Sequence, residues 1–350
     1  MYSLFWPVIC CFLITALALK ALLPLAQRIG LLDIPKGRKQ HQGKVPLIGG
    51  LAVFAGVAAG LLVADASQMQ HWAFIGCAFV IVVLGAFDDA LDLSVSLRLI
   101  VQCLVAIAMM WLLDLHLAHL GNLFGFGPVE LGWFGPPLTI IAVIAAINAF
   151  NMTDGIDGLA GSLSLLTMLA LTFFMLMWGQ QDIAVLPILM MVALLPYLAA
   201  NLQWFGLRKV FLGDAGSMLI GLTVIWLLLQ GSQSAASSFR PVTALWIIAI
   251  PLLDMAVIML RRIRKGQSPF KADREHLHHI SLRLGLGPRH ALLFIVGLAG
   301  TAASIGALAE YLLLPDFLVL LLFLLLGAGY YYVLSHVWRI VSALRRRPQR

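Results

Sequence analysis

The chain has 350 residues, of which 61% are hydrophobic and only 11% charged, with a formal net charge of +7. That balance excludes an ordinary soluble domain. The basic residues are not interleaved with aromatics on a soluble face, so a nucleic-acid partner is excluded too.

The apolar runs repeatedly reach the ~20 residues that a membrane helix needs. Eleven spans are expected, at about 3–27, 47–64, 71–87, 97–113, 134–150, 159–178, 183–202, 210–229, 241–260, 291–309 and 317–338. The chain therefore reads as an all-α, polytopic integral membrane protein, with residues 1–350 forming one membrane domain. Met1 to Leu19 carries no charge, so it lacks the basic front of a secretory signal peptide and reads as a retained first span. The fifth span is the weakest. Pro136-Pro137 leaves only Leu138 to Phe150 as a clean apolar run, short enough for a re-entrant segment. Before it, Gly125 to Gly135 reads as a turn-rich outside loop or short hairpin. Cys10, Cys11, Cys77 and Cys103 fall within spans, without metal-ligand or disulfide spacing, and read as free thiols.

Orientation follows from the basic residues. With the N-terminus outside and the C-terminus in the cytoplasm, the cytoplasmic segments are 28–46, 88–98, 151–158, 203–210, 261–290 and 339–350. These hold 21 of the 23 Lys and Arg. Of the other two, Lys20 is near the inner end of the first span, and only Arg240 faces out. It stands against Asp65, Asp114, Glu130, Asp182, Glu310 and Asp316. Parity then requires the fifth span to cross, or Asp154 and Asp157 would lie opposite Asp88. The terminal Arg345-Arg346-Arg347 suits anionic lipid.

On the cytoplasmic side the carboxylates gather. Asp88, Asp89 and Asp92 occupy positions i, i+1 and i+4, so on a helix Asp88 and Asp92 share a face. Like charges this close call for a cation, and Mg²⁺ is the natural one, with Mn²⁺ as an alternative. Asp154 and Asp157 are interleaved with Gly155 and Gly158, which allow close backbone approach to a phosphate or nucleotide. Asn148 and Asn151 place amides on the preceding turns. Asp214, between Gly213 and Gly216, reads either as a helix cap or as a hard-cation ligand.

The segment 261–290 carries Arg261, Arg262, Arg264, Lys265, Lys271 and Arg274, followed by Glu275-His276-Leu277-His278-His279. A zinc site would want cysteines or a second histidine pair. Donors to phosphate or uridine fit better. Leu277, Ile280 and Leu284 make an apolar stripe suited to the membrane interface. In the first basic loop, Arg38 and Lys39 read as positive-inside anchors, while Lys44 is placed to meet a lipid phosphate. Asn201 reads as packed or hydrogen-bonded. Asp254, inside the ninth span, must face protein or a cavity, as an arginine partner or a substrate contact.

Three further stretches complete the pattern. They are Asn148 to Leu159 (Asn-Ala-Phe-Asn-Met-Thr-Asp-Gly-Ile-Asp-Gly-Leu), Phe211 to Ser217 (Phe-Leu-Gly-Asp-Ala-Gly-Ser) and His276-Leu277-His278-His279. With Phe87 to Asp92, they resemble, in order and over essentially the whole chain, the polyprenyl-phosphate N-acetylhexosamine-1-phosphate transferases. Leu277 interrupts the histidine run, whereas cell-wall muramyl-pentapeptide translocases carry three consecutive histidines. That difference, and the Val242 to Pro251 run, are similar to the WecA-like branch.

The resemblance implies a multi-pass enzyme of the bacterial inner membrane with its active site on the cytoplasmic face. The implied reaction moves N-acetylglucosamine-1-phosphate from UDP-GlcNAc to undecaprenyl phosphate, releasing UMP and starting a lipid-linked surface polysaccharide such as O-antigen. It implies that Asp88 and Asp89 serve the acceptor phosphate and catalysis. Asp214 would ligate Mg²⁺ beside Asn151, and Asp154, Asp157, His276, His278 and His279 would border the nucleotide sugar. From the residues themselves, Asp92, Asn148 and Lys44 join the substrate-binding set. A homodimer is compatible with this reading. Another UDP-N-acetylhexosamine is the alternative donor. An intramembrane prenyltransferase and a transporter are remoter readings, since the former lacks use for the histidine loop and the latter would place its acids near the midplane.

Overall fold

A computed structural model describes residues 4–34, 43–65, 67–234, 237–269 and 275–345, with side chains to Val337. Arg38, Lys39, Lys271, Arg274 and the side chains of the terminal arginine run lie outside the described residues. The protein is 77% helical and almost free of sheet, which establishes the all-α class.

Two compact units make up the chain: Met1–His119 with Glu130–Phe239, and Leu120–Val129 with Arg240–Arg350. The first holds α1 (Phe5–Ile29), a two-residue pairing of β1 (Leu32–Asp33) with β2 (Val45–Pro46), and α2 (Gly49–Asp65). It continues through α3 (Met69–Leu91), α4 (Val95–Leu113), α5 (Gly135–Thr153), α6 (Leu159–Met177), α7 (Gln181–Asn201) and α8 (Gly213–Gln233). The second holds α9 (Pro241–Ile247), α10 (Ala249–Arg264), α11 (Leu277–Arg283), α12 (Pro288–Tyr311) and α13 (Asp316–Arg345).

Among the described residues, nine helices are long and apolar enough to cross a membrane. The pair α9–α10 passes the same test together, and α2 is a shorter apolar helix. These elements correspond one for one to the eleven apolar runs of the sequence. The fifth run is longer than it reads. A 3-10 turn at Gly132–Phe134 precedes α5 and extends the apolar stretch to 22 residues. Pro136 and Pro137 fall in the first turn of α5, where no helical N–H partner is required of them. The ninth run, by contrast, is not one straight helix. It breaks at Ile248, with α9 and α10 bent by 83°. Pro251 explains the break, because its ring clashes with the carbonyl of Ile247 and it has no N–H to bond there.

In the first unit α8 is the central helix, with 94% of its membrane window buried against 17% for α1. Small residues set how closely its neighbours approach. A Cβ on Gly50 of α2 would fall 2.1 Å from the Gly216 nitrogen, and one on Gly85 of α3 would fall 2.4 Å from the Ala215 backbone. At Gly221 the backbone of α5 closes in, with Ile147 Cα 2.4 Å from such a Cβ. Val45–Gly50 runs beside the entry to α8. Phe211 N–H donates to Pro46 O at 2.9 Å, and Gly50 N–H to Leu212 O at 2.9 Å.

In the second unit Val242, Trp246, Ala249 and Leu253 pack with Ala302, Ala309, Val319 and Phe323. A hairpin is present, but it begins earlier than the expected Gly125 to Gly135 stretch: Leu120 N–H donates to Val129 O at 3.0 Å. Arg240, read from the sequence as a lone outward cation, is enclosed by acids. It donates to Glu310 at 3.1 Å and to Asp316 at 2.7 Å. The stripe of Leu277, Ile280 and Leu284 faces protein and not the membrane interface: Ile280 is buried with Val257, Leu334 and Val337, and the two leucines pack around it.

Candidate active site

The last turn of α3, the last turn of α5 and the first turn of α8 converge, and each delivers acidic or amide side chains. Asp88 is 5% exposed. Its Oδ2 accepts from Arg98 Nη1 of α4 at 2.7 Å, and its Oδ1 from Leu93 N–H at 2.9 Å. Asp89 reaches the N-terminus of α8, where it accepts from the Asp214 N–H at 3.0 Å and the Ala215 N–H at 3.4 Å. It therefore acts as an N-cap supplied from another helix. Asp214 also lies within the field of the Asp89 and Asp88 carboxyls. Asn151 Nδ2 donates to Asp214 Oδ1 at 2.8 Å and to Ser217 Oγ at 3.0 Å.

The loop after α5 adds the remaining acids. Asp154 caps α5 and lies within the field of the Asp214 and Asp157 charges. Asp157 accepts from Lys209 Nζ at 2.6 Å, and the same ammonium sits 5.2 Å from the centre of the Phe211 ring. Gly158 has φ of +77°, and its N–H donates to the buried Asn201 Oδ1 at 2.6 Å. Asn201 Nδ2 donates to Val210 O at 2.8 Å. Asn201 thus ties the Asp154–Asp157 loop to the approach of α8, in keeping with its reading as a hydrogen-bonded structural residue.

Three expected members stand apart. Helix α3 ends at Leu91, and Asp92 is its left-handed cap (φ +52°), exposed. The shared helical face expected for Asp88 and Asp92 is therefore absent. Asn148 directs its Nδ2 to Gln102 Oε1 of α4 at 2.9 Å and to Ile144 O at 2.8 Å. Lys44 is exposed, two residues before the Pro46 carbonyl that receives Phe211 N–H.

Five carboxylates (Asp88, Asp89, Asp154, Asp157, Asp214) face two paired cations, Arg98 and Lys209. So much uncompensated negative charge demands a cation or protons. Among the described residues no three His, Cys, Asp or Glu side chains form a ready-made cage.

The histidine segment belongs to the second unit and is built differently. His276 stands at the N-cap position of α11, just outside the helix, with its ring 6.5 Å from that of His279. Its Nδ1 lies 2.8 Å from Asp254 Oδ2. Asp254 also accepts from Leu277 N–H at 3.0 Å and from Tyr330 Oη at 2.8 Å. Among the described residues Asp254 pairs with a histidine, where the sequence had left open an arginine partner or a substrate contact. His278 is buried, and desolvation first, then its neighbours His279 and His276, push its pKa down to about 3. It is a neutral side chain near neutral pH. Glu275 pairs with Arg261 at 2.9 Å and Lys265 at 3.0 Å.

Residues 71–232 match the model for glycosyl transferase family 4, a stretch containing every carboxylate of the first unit's cluster. The chain is 46% identical over 343 residues to the undecaprenyl-phosphate alpha-N-acetylglucosaminyl 1-phosphate transferase of Escherichia coli K12, covering 97% of this chain and 93% of that one. Proteins of the same name from Yersinia pestis (46% over 328 residues; 93% and 90% covered) and Haemophilus influenzae (43% over 341 residues; 97% and 96% covered) are similarly related. The chain belongs to glycosyl transferase family 4. Within the family it falls among the polyprenyl-phosphate N-acetylhexosamine-1-phosphate transferases that its motifs resemble.

For this family 4 protein, sequence reading missed Arg98, Lys209, Gln102 and Tyr330. Arg98 and Lys209 carried a signal, as isolated cations in short segments beside the acids. Gln102 and Tyr330 lie inside apolar runs, where nothing in the spacing pairs them with Asn148 or Asp254.

Proposed function

We propose that the protein transfers N-acetylglucosamine-1-phosphate from UDP-GlcNAc to undecaprenyl phosphate, giving GlcNAc-diphospho-undecaprenol and UMP. The observation that carries this reading is the joining of Asp88, Asp89, Asn151 and Asp214 at one end of α3, α5 and α8, in a chain nearly half identical to transferases named for that reaction. A lipid phosphate oxygen attacks the sugar-bearing β-phosphorus. The bond from that phosphorus to the oxygen bridging to the α-phosphate breaks, and UMP departs with that oxygen. Because two anions must meet, alignment and charge neutralisation are the main requirements.

Asp214, with Asn151 and Asp89 beside it, would hold Mg²⁺, and the gathering of these oxygen donors at the start of α8 supports such a fit. When bound, Mg²⁺ supplies neutralisation of the diphosphate and of the leaving UMP. Arg98 pairs with Asp88 at 2.7 Å and orients its carboxyl. A phosphate monoester is already largely ionised near neutral pH, so Asp88 orients the acceptor more than it deprotonates it. Both oxygens of Asp88 and of Asp89 already accept hydrogen bonds, which favours direct displacement over an aspartyl-phosphate route. Lys209 and Asp157 line the donor side with Asp154. Within the second unit, the neutral His278 beside the Asp254-bound His276 has the chemistry of a hydrogen-bonding group.

The Lys and Arg asymmetry supports eleven crossings with the N-terminus outside, and a bacterial inner membrane with the site on its cytoplasmic face. Purified protein given undecaprenyl phosphate, Mg²⁺ and radiolabelled UDP-GlcNAc should yield labelled lipid and UMP in equal amounts. Turnover only with another UDP-N-acetylhexosamine would change the donor, and no UMP from any UDP-sugar would reject the reaction.

A further inference from the structure

Four side-chain contacts close a circuit through the helices that present the carboxylates. Arg98 on α4 donates to Asp88 on α3 at 2.7 Å. One turn further along α4, Gln102 Oε1 accepts from Asn148 Nδ2 on α5 at 2.9 Å. One turn along α5, Asn151 donates to Asp214 on α8 at 2.8 Å, and the Asp214 N–H returns to Asp89 on α3 at 3.0 Å. Arg98 and Gln102 are four residues apart, and Asn148 and Asn151 three, so each helix uses one face for both of its contacts.

Gln102 is fully buried, at 0% exposed, and its Nε2 has no hydrogen-bond partner among the described residues. A buried amide donor without an acceptor is costly, and a leucine would fill the same space without that cost. What distinguishes glutamine here is its Oε1, the atom that holds Asn148.

We propose that Gln102 is a positioning residue for the site. By gripping Asn148 it fixes the rotation of α5 about its own axis, and so keeps Asn151 on Asp214. Asn148 acts through this link, although its place in the sequence motif suggested substrate contact. The inference rests on the reading of Asp214 and Asn151 as the cation-holding pair. A loosening of about 1 Å at a reacting site costs on the order of a hundredfold in rate, so a small rotation of α5 is enough to matter.

The test uses Gln102→Leu, Gln102→Asn, Asn148→Gln and the exchanged pair Gln102→Asn with Asn148→Gln, in full-length purified protein. Two quantities are read: kcat and KM for UDP-GlcNAc, and the rise in unfolding temperature produced by Mg²⁺ alone. Gln102→Leu should lower kcat by about tenfold or more while KM stays within about twofold, and should shrink the Mg²⁺-induced rise. The exchanged pair restores the summed length of the bridge. It should recover most of both quantities relative to the single variants. Wild-type values in Gln102→Leu would overturn the proposal, as would an exchanged pair no better than the single variants when all are folded. Should Gln102→Leu fail to fold, the exchanged pair against its singles decides. If wild-type protein turns over no UDP-sugar, the proposed reaction falls. The Mg²⁺-induced rise then judges the bridge alone: lost in the single variants and regained in the pair supports it, unchanged overturns it.

Discussion

Asp88 depends on one side chain for its charge balance. Its carboxylate is almost entirely buried, so removing Arg98 leaves an uncompensated charge in the interior. Arg98→Ala should cost about 3 kcal/mol of stability and most of the activity, while Arg98→Lys should retain part of both. Unfolding midpoints in detergent, beside turnover, check this. His278 makes an opposite kind of statement. Its folded pKa of about 3 lies below the ordinary histidine value, so the unfolded chain binds the proton first. The stability contribution is complete above about pH 6.5 and declines as pH falls from there toward the folded value. Wild-type protein should lose about 2 kcal/mol through this residue by pH 5. Unfolding measured between pH 7.5 and pH 5 should show a flatter decline in His278→Gln; an unchanged slope would refute the assignment.

Helices α3 and α8 touch backbone to backbone, and that approach is what lets Asp89 reach the first N–H groups of α8. Gly85→Ala should push the two helices apart and cost about 1–3 kcal/mol. Activity should fall further than stability, because the added methyl faces Ala215 beside Asp214. A variant with full turnover would show that the close approach is unnecessary. Helix periodicity and turn residues made most elements legible: the eleven apolar runs all appear, and the acids of α3, α5 and α8 do converge. The exceptions have local causes. Asp92 leaves the helix through a left-handed cap, Pro251 breaks the ninth run upstream of itself, and the stripe on α11 turns inward to Val257 and Leu334. Amphipathic spacing gives the face of a helix but not which surface covers it.

At the scale of the whole molecule, charge and hydropathy foretold the class, whereas pairings between distant spans had no trace in the sequence. Arg240 shows why. It is read in isolation as an outward charge, yet Glu310 and Asp316, some seventy residues away, enclose it. The proposed orientation makes a direct prediction: cysteines placed at Lys44 and Lys209 should resist an impermeant thiol reagent in intact cells, and one at Phe126 should react. Labelling of all three from outside would contradict it. The central claim is that the carboxylate cluster of α3, α5 and α8 performs cation-dependent sugar-phosphate transfer. The measurement that tests it most directly is the yield of labelled lipid and UMP from UDP-GlcNAc by wild-type protein and Asp214→Ala, each with and without EDTA. The account predicts equal lipid label and UMP in the wild type, lost with EDTA, and a fall of at least about a hundredfold in Asp214→Ala. Undiminished transfer by folded Asp214→Ala, or in EDTA, would contradict it.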